Sequence, residues 1–173
     1  MDRNRPKGGK PNVHDDLMTE LLAQEEELRF DSFDNDAAWE LGQRLVAAAR
    51  AGGHGVTIDI RRGDQQLFHA ALEGTSADND AWIERKVNVV RRFGHSSFYV
   101  GVECEAAGSP LEERFFVDPR QYSAHGGAFP IAVRGVGVVG AVTVSGLPQV
   151  EDHRLVVSVL RDFLRFSGAP DDG

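Results

Sequence analysis

The chain has 173 residues, 41% hydrophobic and 27% charged, enough for one domain with a proper core and too few for two comfortable ones. Its formal net charge of −8 is unevenly placed: residues 1–13 hold four cations and one acid, leaving 15 cations against 26 acids elsewhere. An acidic body repels phosphate backbones, and no apolar run approaches the ~20 residues that span a bilayer, so neither nucleic acid nor membrane is an expected partner.

Residues 1–13 are basic and rich in Gly and Pro, and read as a disordered tail. They carry no apolar stretch of the secretory kind, and Cys104 is alone, so a cytoplasmic protein without disulfides is expected. From Asp15 onward, Leu17, Leu21 and Leu28 mark a helix stripe. Asp34 or Asn35 then caps a second helix carrying Ala38, Leu41, Leu45 and Ala49, which Gly52-Gly53 ends. The period changes to two at residues 56–60, turns at 61–64 and returns at 66–72, the signature of a β-hairpin. A loop at 74–79 leads into a third helix with Trp82, Val90 and Phe93, closed by Gly94.

Residues 97–107 satisfy both periods: Phe98, Val100, Val102 and Cys104 alternate, while Phe98, Val102 and Ala106 share a helix face behind Ser96-Ser97. A break at 108–110 and a short apolar piece, Phe115-Phe116-Val117, follow. Residues 129–133 and 138–144 form a second hairpin whose continuous apolar character predicts strands covered on both faces. Pro148 and Glu151-Asp152 open a last helix, with Leu155, Val156, Val159, Leu160, Phe163 and Phe166 on its buried stripe. Two hairpins separated by helices predict a largely antiparallel sheet with helices against it, an α+β domain.

Gly135, Gly137 and Gly140 fit G-x-G-x-x-G, but a strand and not a helix follows, so they read as hairpin glycines. With one cysteine and six scattered histidines there is no local zinc pattern, and Cys104 reads as a core residue. Two segments carry more chemistry. Trp82, Arg85 and Lys86 share a helix face, which either presents an aromatic plate and two cations to a flat anionic ligand or is a solvated cation pair over a half-buried Trp. His125-Gly126-Gly127 either lets backbone approach a ligand or neighbouring subunit closely, or is a tight turn with an exposed histidine. Lys86 is also the one lysine outside the tail.

Gly74-Thr75, Asp78-Asn79, Trp82 with Arg85-Lys86, residues 93–97, residues 125–131 and residues 144–153 together resemble the haem-degrading-domain family, whose relatives include HbpS, GlcG and the C-terminal domain of PduO. The likeness covers about residues 20–167 and points to a bacterial and fungal branch of that family. It implies a single profilin-like α+β domain over 14–168, with a five-stranded antiparallel sheet flanked by helices, a short disordered tail at 169–173, and helix for 97–107. It implies homo-oligomers, dimers or rings, and a bound haem or related iron cofactor. HbpS-type members are exported, and their extracellular role is not expected of a chain with this N-terminus. In a haem site the resemblance makes His125 the first candidate iron ligand and His95 the second, with Lys86 and Arg85 on the propionates beside Trp82, Gly126 and Gly127. Two other readings stand beside it: an oligomeric interaction module without haem, and an enzyme on a small anionic metabolite using His125, Lys86 and Asp152.

Overall fold

The computed structural model describes residues 12–167; most of the two predicted tails lies outside them. The first helix, α1 (Val13–Glu27), starts one residue before the predicted domain boundary, because the Asn12 side chain accepts from His14 N and caps it. Asp34 caps α2 (Asn35–Ala51) by accepting from Ala37 N at 2.8 Å, and Gly52 ends it. The first hairpin is β1 (Thr57–Arg62) and β2 (Gln65–Ala71), and α3 (Ala77–Phe93) follows, closed by Gly94 in the left-handed region. Residues 97–107 are helix, α4 (Ser97–Ala107): the Ser96 hydroxyl accepts from Tyr99 N, which settles the ambiguous period in favour of 3.6. The apolar piece after the break ends the short α5 (Leu111–Phe115); Phe116 then takes φ 54° and stands 91% exposed, while Val117 turns inward. The second hairpin, β3 (Ala128–Val133) and β4 (Gly137–Ser145), leads into α6 (Gln149–Ser167).

The sheet is antiparallel throughout, in the order β2-β1-β4-β3. It has four strands among the described residues and not five. The fifth lane is reduced to Phe30, which donates from its N–H to Ala132 O at 2.8 Å and accepts from Arg134 N at 2.9 Å beside the edge of β3. Only five residues separate Leu28, the C-cap of α1, from the Asp34 cap of α2, so the chain has little length for a strand there.

The two faces of the sheet differ. Ile58, Ile60, Val142 and Val144 point to one side and pack with Leu41, Leu45, Val156 and Leu160 of α2 and α6 as the main core. Thr57, Asp59, Thr143 and Ser145 alternate to the other side, under α3, and are buried there. The continuous apolar strands are thus covered on both faces where α3 crosses, but the hairpin end at Gly137 and Val138 is exposed. Phe166 departs from the predicted stripe: it lies near the C-terminus of α6, past the sheet, and is 69% exposed. Cys104 is buried with Val89, Val100, Leu111 and Val117. No helix among the described residues is long and apolar enough to cross a membrane.

Gly140 lets β1 and β4 close: a Cβ there would press on the Arg61 carbonyl oxygen, with no positive φ to complicate the comparison. Gly140→Ala is expected to cost about 1–3 kcal/mol in urea unfolding, whereas a loss below ~0.5 kcal/mol would mean that the strands part freely.

Candidate functional site

The end of the sheet where β4 runs into α6 is where the first turn of α3, the first turn of α6 and the strand entering β3 meet. Lys86 projects from α3 into this junction with its side chain 4% exposed, and Asp152 of α6 reaches it from the opposite side at 2%. Lys86 Nζ donates to Asp152 Oδ2 at 3.2 Å and to the Val144 carbonyl at 3.0 Å. Asp152 Oδ1 accepts from Leu147 N at 3.0 Å, so the carboxylate also closes the turn that starts α6. Burial pushes the Lys86 amine below its ordinary value against the attraction of Asp152, and burial pushes Asp152 up against Lys86. The two proton affinities are drawn toward each other.

The glycine pair makes this arrangement fit. Gly127, at φ 132°, carries no Cβ; one placed there would stand 2.6 Å from Lys86 Nζ and press on the Val144 carbonyl. Gly126 donates from its N–H to Gln149 Oε1 at 3.0 Å and leaves room for the start of α6. Both glycines serve close approach, but to Lys86 and Gln149 of the same chain.

Outward from the pair lies a compartment of about 270 Å³, walled by Asn79, Trp82, Lys86, His125, Ser145 and Asp152 among others. A second, of about 420 Å³, opens beside it between α3, α4 and the 119–125 segment, with Arg85, Leu111, Pro119 and Tyr122 on its walls. Trp82, His125 and Gln149 belong to both. Trp82 meets the His125 ring edge to face at 5.2 Å, and the Arg85 guanidinium stacks on Trp82 at 4.0 Å. His125 Nδ1 lies 2.7 Å from Ser123 Oγ, and Nε2 has no hydrogen-bond partner among the described residues. Burial, then the charges of Lys86 and Arg85, hold the imidazole below its usual pKa and favour the neutral ring.

Five residues singled out in the sequence beside Lys86 therefore come together: Trp82, Arg85, His125, Gly126 and Gly127. Lys86 does not share the solvated face of Trp82 and Arg85; it turns inward because Asp152 and the Val144 carbonyl are there to take its charge. His95 is elsewhere: Nδ1 sits 2.7 Å from Glu25 of α1, and the same carboxylate accepts from Ser96 N, so it pins α1 to the start of α4. Gln149 and Ser123 complete the site and were given no role from the sequence; Gln149 lies within the 144–153 phrase of the resemblance, and Ser123 stands two residues before His125.

A family model described as "Haem degrading protein HbpS-like" matches residues 33–161. The chain belongs to the HbpS-like family. A UPF0303 protein of Streptomyces coelicolor is 58% identical over 147 residues, covering 85% of this chain and 93% of its own length. One from Serratia proteamaculans is 46% identical over 156 residues, covering 90% and 96%. Among solved structures, the Ybr137w protein superposes with a TM-score of 0.81 at 37% identity, over 87% of this chain and 88% of that one. HbpS itself gives 0.61 at 17% identity over 79% and 92%, and a PduOC:Heme complex 0.63 at 12% over 76% and 94%; at such identities these likenesses show the HbpS-like fold alone.

Near the site, His153 of α6 stands between the Phe98 and Phe129 rings with Nε2 2.8 Å from Gln24 Oε1, while its buried Nδ1 has no partner among the described residues. Burial first, then Arg154, lowers its pKa from 6.5 to about 4. The unfolded chain thus binds the extra proton more readily between those values. Stability is full above pH 6.5 and falls as the pH drops toward 4, by about 3 kcal/mol at most. His153→Gln is expected to flatten the stability profile in that window; an unchanged slope in denaturation curves from pH 4 to 6.5 would locate the effect elsewhere.

Proposed function

We propose that this HbpS-like protein binds haem, or a related flat iron cofactor, in the outer compartment, with His125 as the axial ligand. The observation that supports this reading is the contact His125 makes: Ser123 Oγ lies 2.7 Å from Nδ1, and Nε2 has no partner among the described residues. When Nδ1–H donates to that hydroxyl, Nε2 carries the lone pair an iron needs, and burial favours the neutral ring. Trp82, Leu111, Pro119 and Tyr122 offer apolar and aromatic walls, and Arg85 is placed to pair a propionate. Lys86 is not a propionate partner in this reading, since it is buried against Asp152 and the Val144 carbonyl and borders the inner compartment rather than the outer one. A macrocycle of about forty heavy atoms exceeds one 420 Å³ compartment, so part of it lies over the rim, where a second copy of the chain could cover it. The chain's own residues would hold the macrocycle, fix the axial nitrogen and exclude water from one face, while haem supplies the iron redox chemistry.

Haemin titration of the purified protein tests this. A saturable, red-shifted Soret band of micromolar or tighter affinity is expected, lost or shifted in His125→Ala and weakened several-fold in Ser123→Ala. Unsaturable binding that is indifferent to His125 would leave the protein without a haem role.

A further inference from the structure

The inner compartment has a chemistry that haem binding does not use. Lys86 on its wall carries an amine nearly removed from water, with two of its three donor directions taken by Val144 O and Asp152 Oδ2. The third has no partner among the described residues, and Lys86 and Asp152 both border the cavity. A purely architectural ion pair needs no such space. Here both partners border a cavity of about 270 Å³, enough for a molecule of a few heavy atoms and far too little for a macrocycle. The walls are polar: Asn79, whose side chain donates to Ser145 O at 3.3 Å, Ser145, Gln149 and the exposed ring of His125. The first turns of α3 and α6 both border it, and the N–H groups of Gln149 and Val150 have no backbone partner among the described residues.

We propose that the inner compartment is a binding site for a small aldehyde or α-oxo acid, which Lys86 holds through a covalent imine at Nζ. The carbonyl carbon enters along the unpaired direction of the amine. The Lys86 ammonium passes one proton to the Asp152 carboxylate, and the nitrogen lone pair forms the C–N bond while the carbonyl π pair moves onto oxygen. That oxygen takes up the proton held by Asp152 and a second one from nitrogen, the C–O bond breaks, and water leaves. The balance is one ammonium and one carbonyl compound giving one iminium and one water, with no oxidant or reductant. The iminium keeps the positive charge beside Asp152, so the buried pair is never left uncompensated. The convergence of the two proton affinities makes the first transfer inexpensive, and the N–H of Gln149, a residue on the compartment wall with no backbone partner among the described residues, suits the carboxylate of an oxo acid. His125, on the shared wall, is within the same compartment to assist proton movement to the departing water.

The protein has three lysines, Lys7, Lys10 and Lys86, so the first two are internal references. The full chain is incubated at pH 7 with cyanoborohydride and either glyoxylate or glycolaldehyde, and each lysine is followed by peptide mass spectrometry. Reductive trapping at Lys86 is expected at least about tenfold faster than at Lys7 and Lys10, slower in Asp152→Asn and absent in Lys86→Arg. Preference for glyoxylate assigns the oxo-acid class, and equal trapping assigns simple aldehydes. Lys86 left unmodified while Lys7 and Lys10 are trapped would make the pair structural and overturn the proposal. The rate ratio within the wild-type protein carries the test even where a variant fails to fold. The haemin titration is independent of it, because neither outcome at Lys86 alters the Soret band through His125.

Discussion

A buried ammonium and a buried carboxylate, Lys86 and Asp152, hold together the part of this protein where its chemistry is concentrated. Removing two such ions from water costs several kcal/mol each, and their attraction at 3.2 Å returns about 5 kcal/mol at an effective dielectric of 20. The pair therefore roughly breaks even as a source of stability. Its effect is positional: it ties α3 to α6 across the end of β4, enlists the Val144 carbonyl, and sets the turn at Leu147 through the second carboxylate oxygen. A Cβ at residue 127 would crowd both the Val144 carbonyl and the amine it accepts from, so the glycine and the ion pair are one device.

That device belongs to the polar side of the sheet. On the α2 and α6 side, Ile58, Ile60, Val142 and Val144 build an ordinary apolar core. On the α3 side the strands present Thr57, Asp59, Thr143 and Ser145, and burial obliges them to find partners. Asp59 finds Arg61, Gln66 and His69, and Arg61 reaches on to Glu84 of α3. The hydroxyls of Thr57 and Thr143 have no partner among the described residues. A helix laid over so polar a surface cannot be held by hydrophobic burial alone, and the contacts of its Glu84 with Arg61, its Asp80 with His69 and its Lys86 with Asp152 orient it. The cleft and its two compartments follow from where that orientation leaves Trp82 and Arg85.

Most elements were legible because their punctuation is local. Asp34 and Ser96 cap helices, Gly52 and Gly94 end them, and period-two alternation marks the strand at 56–60, which runs on through Arg61 and Arg62, residues read as turn, because they pair with Gln66 and Gln65 of β2. The departures share a cause. The fifth strand and the burial of Phe166 depend on how much chain remains beside a neighbouring element, and the place of His95 on Glu25, which arrives from α1: a single bridging residue at Phe30 stands where a strand was expected, and Phe166 is exposed at the end of α6. No periodicity within the segment reports such distances.

For the site, the residues themselves determined the chemical inventory: one lysine in the folded region, a tryptophan and an arginine on its helix, and a histidine beside two glycines. Helical spacing also made Trp82, Arg85 and Lys86 neighbours. Tertiary structure decided the roles, because charge and hydrogen-bonding partners come from residues 58 and 66 positions away along the chain. Val144 and Asp152 drew Lys86 inward, away from the face of Trp82 and Arg85, while Ser123 holds Nδ1 of His125 and leaves Nε2 without a partner among the described residues. A side chain's spacing is set by its own helix, but its protonation and its direction are set by what the fold brings against it.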